Sequence, residues 1–159
     1  MFYLTPCYRY ERPQAGRQRE FHQFGVEVFG APEASVDVEV IALAMNLFQE
    51  LGIKGLALKI NSIGCPKCRP VYHEVLKSYL SNHLDELCGT CRDRYEKNPL
   101  RVLDCKVKGC QPIIKGAPHM LDHLCEECND HFEDTKRFLK AADFDYTIDP
   151  MIVRGLDYY

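Results

Sequence analysis

An α+β fold is predicted for this 159-residue chain from three observations. Strand-period segments stand near its two ends, amphipathic helical patterns fill the middle, and cysteines gather there in regularly spaced pairs. Hydrophobic residues at 46% and charged residues at 27% are ordinary globular usage, which excludes a disordered or collagen-like chain. A net charge of −3 excludes a basic protein that coats nucleic acid non-specifically. No apolar run approaches the ~20 residues that a membrane-spanning helix needs. Residues 1–20 carry arginines and no apolar block, so no signal peptide is expected, and a cytoplasmic location is.

Residues 2–10 are rich in aromatic and β-forming side chains, and Phe24-Gly25-Val26-Glu27-Val28-Phe29 alternates, which predicts two strands. The stretch 11–23 between them, with Pro13 and Gly16, is longer than a tight hairpin turn; long loops in compact domains are often functional. Val36, Val40, Leu43, Leu47 and Leu51 predict a helix over 35–51, stopped by Gly52. Residues 56–63 read as a strand with Leu58 and Ile60 on one face. A second helix over 69–87 follows from Tyr72, Val75, Tyr79, Leu80, Leu84 and Leu87. Asn98-Pro99 breaks the chain, 100–103 reads as extended, and 118–142 reads as a third helix with Pro118 in its first turn. Strand character returns over 146–153. The chain stops on Arg154-Gly155-Leu156-Asp157-Tyr158-Tyr159, with nothing to cover that strand, so it reads as a portion of a longer enzyme.

In the first strand Tyr3, Thr5, Cys7 and Arg9 share one face; in the return strand Gln23, Gly25 and Glu27 do. If these faces coincide, an arginine, an amide and a carboxylate converge over a surface opened by Gly25. Arg9 then suits an anion such as phosphate, which a guanidinium grips as a fork. Glu27 suits an ammonium or imidazole, Arg12, Arg17 and Arg19 reach further phosphates, and Phe21 can stack on a base. The plainer reading is a charged exposed face in which Glu27 pairs with Arg9 or Lys59.

The stretch from Tyr8-Arg9-Tyr10-Glu11-Arg12-Pro13 to Phe21-His22-Gln23-Phe24-Gly25-Val26-Glu27 resembles motif 2 of the histidyl-tRNA synthetases, which are class II aminoacyl-tRNA synthetases. Val153-Arg154-Gly155-Leu156-Asp157-Tyr158-Tyr159 resembles their histidine-specific signature. Ile60-Asn61-Ser62-Ile63-Gly64 and Asn98-Pro99-Leu100-Arg101-Val102-Leu103-Asp104-Cys105-Lys106 resemble the same family, so the likeness spans essentially the whole chain.

The resemblance implies part of the antiparallel class II sheet, divided as 1–64 for the catalytic core part, 65–144 for a helical, cysteine-rich insertion, and 145–159 for a return strand. It implies a ligase that activates histidine with ATP and Mg2+ and transfers it to tRNA(His), as a homodimer. Arg9 matches the arginine on the α-phosphate, Glu11 and Arg17 match nucleotide-binding positions, and Phe21 matches the aromatic on adenine. Gln23 and Glu27 match residues that bind histidine, Tyr158 and Tyr159 the wall of its pocket. Arg154 matches the catalytic arginine opposite Arg9. Two arginines flanking the reacting groups suit this chemistry, because attack of a carboxylate on the α-phosphorus brings two anions together and builds charge on the phosphoryl oxygens. The family's motifs 1 and 3 are absent from these residues, so the portion by itself is expected to be inactive. Two other functions remain open: a histidine-sensing paralogue such as the regulatory subunit of ATP phosphoribosyltransferase, and a zinc module for RNA or protein contact. Retention of both phosphate-binding arginines favours the enzyme over the sensor.

Cys65-Pro66-Lys67-Cys68, Cys88-Gly89-Thr90-Cys91 and Cys125-Glu126-Glu127-Cys128 are CxxC pairs; Cys105 with Cys110 makes a looser fourth, and Cys7 is left over. Reducing compartments disfavour disulfides, and eight thiolates in four pairs suit two structural zinc sites of four cysteines each. Buried free thiols, an iron–sulfur cluster and a redox pair are the alternatives. A helix over 69–87 is roughly 27 Å long at 1.5 Å per residue, so Cys65 and Cys68 cannot share an ion with Cys88 and Cys91. A short return of the chain from the far end predicts Cys105 and Cys110 with Cys65 and Cys68, and Cys125 and Cys128 with Cys88 and Cys91; the opposite assignment stays open. His73, His83, His119, His123 and His131 read as packing or solvated residues. Basic residues exceed acidic ones over 65–110, a face suited to an RNA backbone or simply to solvent.

Overall fold

The computed structural model describes residues 2–153, so Arg154, Tyr158 and Tyr159 lie outside the described residues. The chain forms two compact units, Met1–Ala31 and Pro32–Tyr159. In the first, β1 (Cys7–Tyr8) pairs antiparallel with β2 (Glu20–Phe21), Cys7 opposite Phe21 and Tyr8 opposite Glu20. The Arg9 N–H extends the ladder to the Arg19 carbonyl at 2.9 Å. At the loop tip Gln14 and Arg17 exchange both backbone hydrogen bonds, at 3.2 and 2.8 Å, around Gly16 at φ +72°. That left-handed third turn position is open to glycine at little cost.

The return strand expected over 24–29 is not formed. Residues 20–21 take the ladder instead, and Phe24, Val26, Val28 and Phe29 are exposed. Alternation says which side chains share a face, but a strand also needs a neighbour for its N–H and C=O groups.

The second unit runs α1 (Ala34–Glu50), β3 (Leu58–Ile60), α2 (Cys68–Ser81), α3 (Gly89–Lys97), α4 (Gln111–Lys115), α5 (Glu126–Ala141) and β4 (Tyr146–Ile148). Single turns of 3-10 helix lie at Leu84–Glu86, Pro99–Val102, Lys108–Cys110 and Met120–His123. β3 and β4 pair in parallel, Leu58 opposite Tyr146 and Ile60 opposite Ile148, which corrects the expectation of a purely antiparallel sheet. Parallel neighbours need a crossover, and the whole helical segment between the two strands serves as one. The Asn61 amide continues the ladder by donating to the carbonyls of Pro150 at 3.3 Å and Ile152 at 2.9 Å.

Two apolar cores result. Val38 of α1, Ile60 of β3, and Phe132 and Leu139 of α5 form the first. Tyr72, Leu76 and Leu80 of α2 pack with Leu87, Val102, Leu103, Ile113 and Ile114 to form the second.

The strands expected over 2–10, 56–63 and 146–153 shorten to β1, β3 and β4, and three stretches between β3 and β4 are cut shorter or recast. The helix expected over 69–87 ends at Ser81, where the Ser81 hydroxyl (2.8 Å) and the Asn82 amide (3.3 Å) bond back to the Ser78 carbonyl, a local competition with the helix ladder. Residues 99–102 are a 3-10 turn rather than extended, with Pro99 in the first turn and the Arg94 guanidinium donating to the Arg101 carbonyl at 2.9 Å. The helix expected over 118–142 begins only at Glu126, because Leu124 and Cys125 are extended and the Cys125 N–H points at the Cys68 sulfur, 3.1 Å away.

Gly64 joins β3 to this segment at φ +64°, and a Cβ there would overlap Met120 Cε and stand 2.9 Å from Cys68 Cβ. Gly64→Ala is expected to cost about 1–3 kcal/mol, from strain at positive φ and overpacking. An unchanged denaturation midpoint for G64A would contradict that packing.

Candidate functional site

Eight of the nine cysteines fall into two groups of four. Cys65, Cys68, Cys125 and Cys128 form one, Cys88, Cys91, Cys105 and Cys110 the other, with the sulfurs of each group within 4.8 Å of one another. All nine thiols are free of disulfides. A tetrahedron of Zn–S bonds near 2.3 Å has edges of about 3.8 Å. The Cys65–Cys68 (3.5 Å), Cys65–Cys125 (3.8 Å) and Cys88–Cys105 (3.9 Å) separations cluster around that edge. The donor set therefore fits a thiophilic tetrahedral ion such as zinc. No histidine belongs to either group among the described residues.

Each CxxC pair straddles a helix start. The Cys65 carbonyl accepts from Cys68 N–H at 3.1 Å and Arg69 N–H at 3.0 Å, and the Cys88 carbonyl repeats the pattern with Cys91 at 2.9 Å and Arg92 at 3.0 Å. Backbone N–H groups left over at these starts turn to sulfur, Lys67 to Cys65 at 3.3 Å and Cys88 to Cys110 at 3.3 Å, as does the Val107 N–H ahead of the turn at Lys108–Cys110, to Cys105 at 3.4 Å. Such donors favour thiolate over thiol. The Cys68 and Lys67 N–H groups pull the Cys65 thiol down to about 6, and the Cys91 N–H pulls Cys88 to about 7. Burial pushes Cys91 and Cys110 upward. Four crowded thiols cannot all ionise beside one another without a cation, and a bound divalent metal removes that conflict.

The grouping corrects the predicted partners. Cys105 and Cys110 belong with Cys88 and Cys91, and Cys125 and Cys128 with Cys65 and Cys68. The separation of Cys65 and Cys68 from Cys88 and Cys91 does hold, since α2 and the turn after it stand between them. The error lay in the return path. The turn at Pro99–Val102 folds the chain back on α3, so Cys105 stays at the far end of α2. The return comes later, and two tyrosines of α2 mark it: Tyr79 donates to the Ile113 carbonyl and Tyr72 to the Pro118 carbonyl, each at 2.9 Å. The chain thus descends α2 toward its N-terminus and delivers Cys125 to Cys68. Sequence reasoning assigned both tyrosines to the core by their spacing; their hydroxyl partners had no pattern to reveal them. It also missed the Lys67–Glu127 ion pair (3.1 Å), which links the two CxxC loops of one group.

In the first unit, β1 and β2 bring Arg9 and Phe21 together: the guanidinium lies 4.6 Å from the ring centroid, and its Nε donates to the Gln18 carbonyl at 2.7 Å. Arg17 pairs with the Glu11 carboxylate, while Arg19 donates to the Glu11 carbonyl at 3.3 Å. Glu11, Arg12, Pro13, Gln14 and Arg17 line an open, polar hollow at the loop tip. Arg9, Glu11, Arg17 and Phe21 therefore occupy one strand–loop–strand. Gln23 and Glu27 follow β2 in exposed chain that forms no ladder, so the convergence of strand faces expected over Gly25 is not formed.

An antiparallel strand–loop–strand rich in arginine, joined in sequence to a crossover carrying two thiolate groups, sets the terms for comparison with known proteins. The family model described as histidyl-tRNA synthetase matches residues 1–159. The chain belongs to the histidyl-tRNA synthetase family. A histidine--tRNA ligase of Caldanaerobacter subterraneus subsp. tengcongensis is 59% identical over 159 residues, which are 100% of this chain and 38% of that protein. One from Clostridium botulinum is 58% identical over the same share of each. The crystal structure of apo S. aureus histidyl-tRNA synthetase superposes with a TM-score of 0.69 at 38% identity, covering 97% of this chain and 35% of that one. The chain thus spans under two fifths of the length of these relatives. No helix among the described residues is long and apolar enough to cross a membrane.

Proposed function

We propose that this chain is the central part of a histidine--tRNA ligase, in which histidine and ATP form histidyl-adenylate and pyrophosphate before the histidyl group passes to tRNA(His). The observation that carries this reading is the family match along all 159 residues. Arg9 holds the α-phosphate, Glu11 and Arg17 serve the nucleotide, with Arg17 toward the terminal phosphates, and Phe21 takes the adenine ring. Arg9 now covers the Phe21 face and Arg17 is paired with Glu11; binding ATP exchanges these contacts for base stacking and charge-assisted bonds to phosphate. Gln23 and Glu27 read the amino acid, Tyr158 and Tyr159 serve the histidine pocket, and Arg154 is the second catalytic arginine; these last three roles rest on the family resemblance. The Mg2+ that accompanies ATP offsets phosphate charge. The protein's part in the chemistry is positioning and charge neutralisation, with no protein nucleophile.

Residues 65–144 are the insertion between the core part, 1–64, and the return strand, 145–159. Each cysteine group there holds a structural zinc. The full-length protein works as a cytoplasmic homodimer, and residues 1–159 alone are inactive because the family's motifs 1 and 3 are not among them. Histidine-dependent ATP–pyrophosphate exchange by the full-length protein tests the reading. Robust exchange with histidine and none with other amino acids is the expected result. Histidine binding without exchange would point instead to a histidine sensor.

A further inference from the structure

We propose that the two thiolate centres are unequal. Cys65, Cys68, Cys125 and Cys128 form an exchangeable, peroxide-sensitive zinc clasp where the chain enters and leaves the segment from α2 to α5, while Cys88, Cys91, Cys105 and Cys110 hold a permanent ion. The inference rests on the zinc reading above and concerns what each ion does once bound.

Access separates the two groups first. In the clasp only Cys68 is buried, and the other three sulfur-bearing side chains are partly open to solvent. In the second group Cys91, Cys105 and Cys110 are all buried, three of four against one of four. A chelator or oxidant must reach sulfur to displace it from the metal, so the first group reacts sooner. The ion pair between the clasp's two CxxC loops, Lys67–Glu127, has side chains 74% and 77% exposed and therefore holds it weakly.

Chain topology points the same way. Cys68 and Cys125 stand 57 residues apart, whereas Cys88 and Cys110 stand 22 apart. A thiolate that leaves its ion is returned by the chain that tethers it, less often when the closing loop is longer. The clasp also sits where the chain enters the segment after β3 and where it leaves before α5. Opening it loosens the edge of the second core, where Cys68 is buried beside Tyr72 and Met120 and where Cys65, Cys125 and Cys128 pack, while the other group keeps its own ion.

The opening step balances with hydrogen peroxide as oxidant. The Cys65 and Cys68 thiolates, one peroxide and two protons give one disulfide and two waters. Each sulfur loses one electron and both peroxide oxygens are reduced. Cys125 and Cys128 consume a second peroxide in the same way, and zinc departs as the hydrated dication. Disulfides within each CxxC loop, where Cys65 and Cys68 already stand 3.5 Å apart, release the clasp.

The test uses the full-length, zinc-loaded protein. Elemental analysis should first give two zinc ions per chain; any other content rejects the zinc reading itself. Hydrogen peroxide is then added with a chromogenic zinc chelator, and the cysteines are mapped by alkylation and mass spectrometry. One zinc should leave at least about tenfold faster than the other, with disulfides in the Cys65–Cys68 and Cys125–Cys128 peptides. Cys88, Cys91, Cys105 and Cys110 should stay reduced over the fast phase. Protein with Cys65→Ser and Cys125→Ser should carry one zinc and show the slow phase alone. Loss of both ions at one rate, or oxidation first at Cys88 or Cys105, would overturn the inequality and leave the zinc reading standing. Mapping in the unaltered protein decides the matter even if the double variant misfolds.

Discussion

Stripping metal from the full-length protein with a strong chelator under reducing conditions is expected to unfold the segment between β3 and β4. Apparent binding energies for structural zinc run about 10–16 kcal/mol, as large as the whole stability of an ordinary domain at about 5–15 kcal/mol. Without the ions, each group must also bury thiols whose partners were the metal. Cys91→Ser should reproduce the effect locally, since Cys91 is fully buried and oxygen is a poor replacement for a zinc thiolate. The readout is hydrogen exchange: protection in α2, α3 and α4 should collapse, whereas the Cys7–Phe21 ladder keeps its own rate. Zinc restored after chelation should restore protection. Chelated protein with unchanged protection over α2 to α4 would reduce the cysteines to packing residues.

Arg9→Ala in the full-length protein should slow histidine-dependent pyrophosphate exchange by about 10²–10³, the usual cost of losing one donor aimed at developing charge. The loss should fall on kcat more than on the KM for histidine, because the contact is made chiefly as charge builds on the phosphoryl oxygens. Arg9→Lys keeps the charge without the fork and should fall between the two. Arg154→Ala, on the proposed roles, should show the same signature. Near-normal exchange in R9A, with the circular dichroism of the parent, would remove Arg9 from the chemistry.

Much of this was legible in the residues. The periodicity from Val36 to Leu51 located α1 within a residue at either end, since a long apolar stripe has one helical solution. Leu58 and Ile60 marked β3 for the same kind of reason, but their pattern could not say that the partner strand would be parallel and lie some 90 residues on. Cysteine spacing identified the four pairs, because a CxxC loop is local chemistry. How pairs combine is a matter of path, and the path turned on Pro99 and on hydroxyls of Tyr72 and Tyr79, none of which carries a periodic signal. The 24–29 stretch failed for the complementary reason: it has strand character but no ladder partner among the described residues.

The parallel pairing of β3 with β4 also has a temporal side. Lys59 and Asp149, which join across it at 3.0 Å, are separated by 90 residues of synthesis. At about 5–20 residues per second, β3 waits roughly 5–20 s at the ribosome before its neighbour exists. During that interval its apolar edge is open to wrong partners. The chain made in the meantime carries Cys88 to Cys110, a complete four-sulfur group with a short closing loop. On the zinc reading, that group can capture an ion and order the part of the second core built by α2, Leu87, Val102 and Leu103 while β4 is still being translated. Cys125 emerges next and can draw the far end of the crossover back to Cys68, beside the waiting strand. The order of the cysteines along the chain thus favours assembly from the inside outward, with the longest-range pairing left until everything it encloses has already folded.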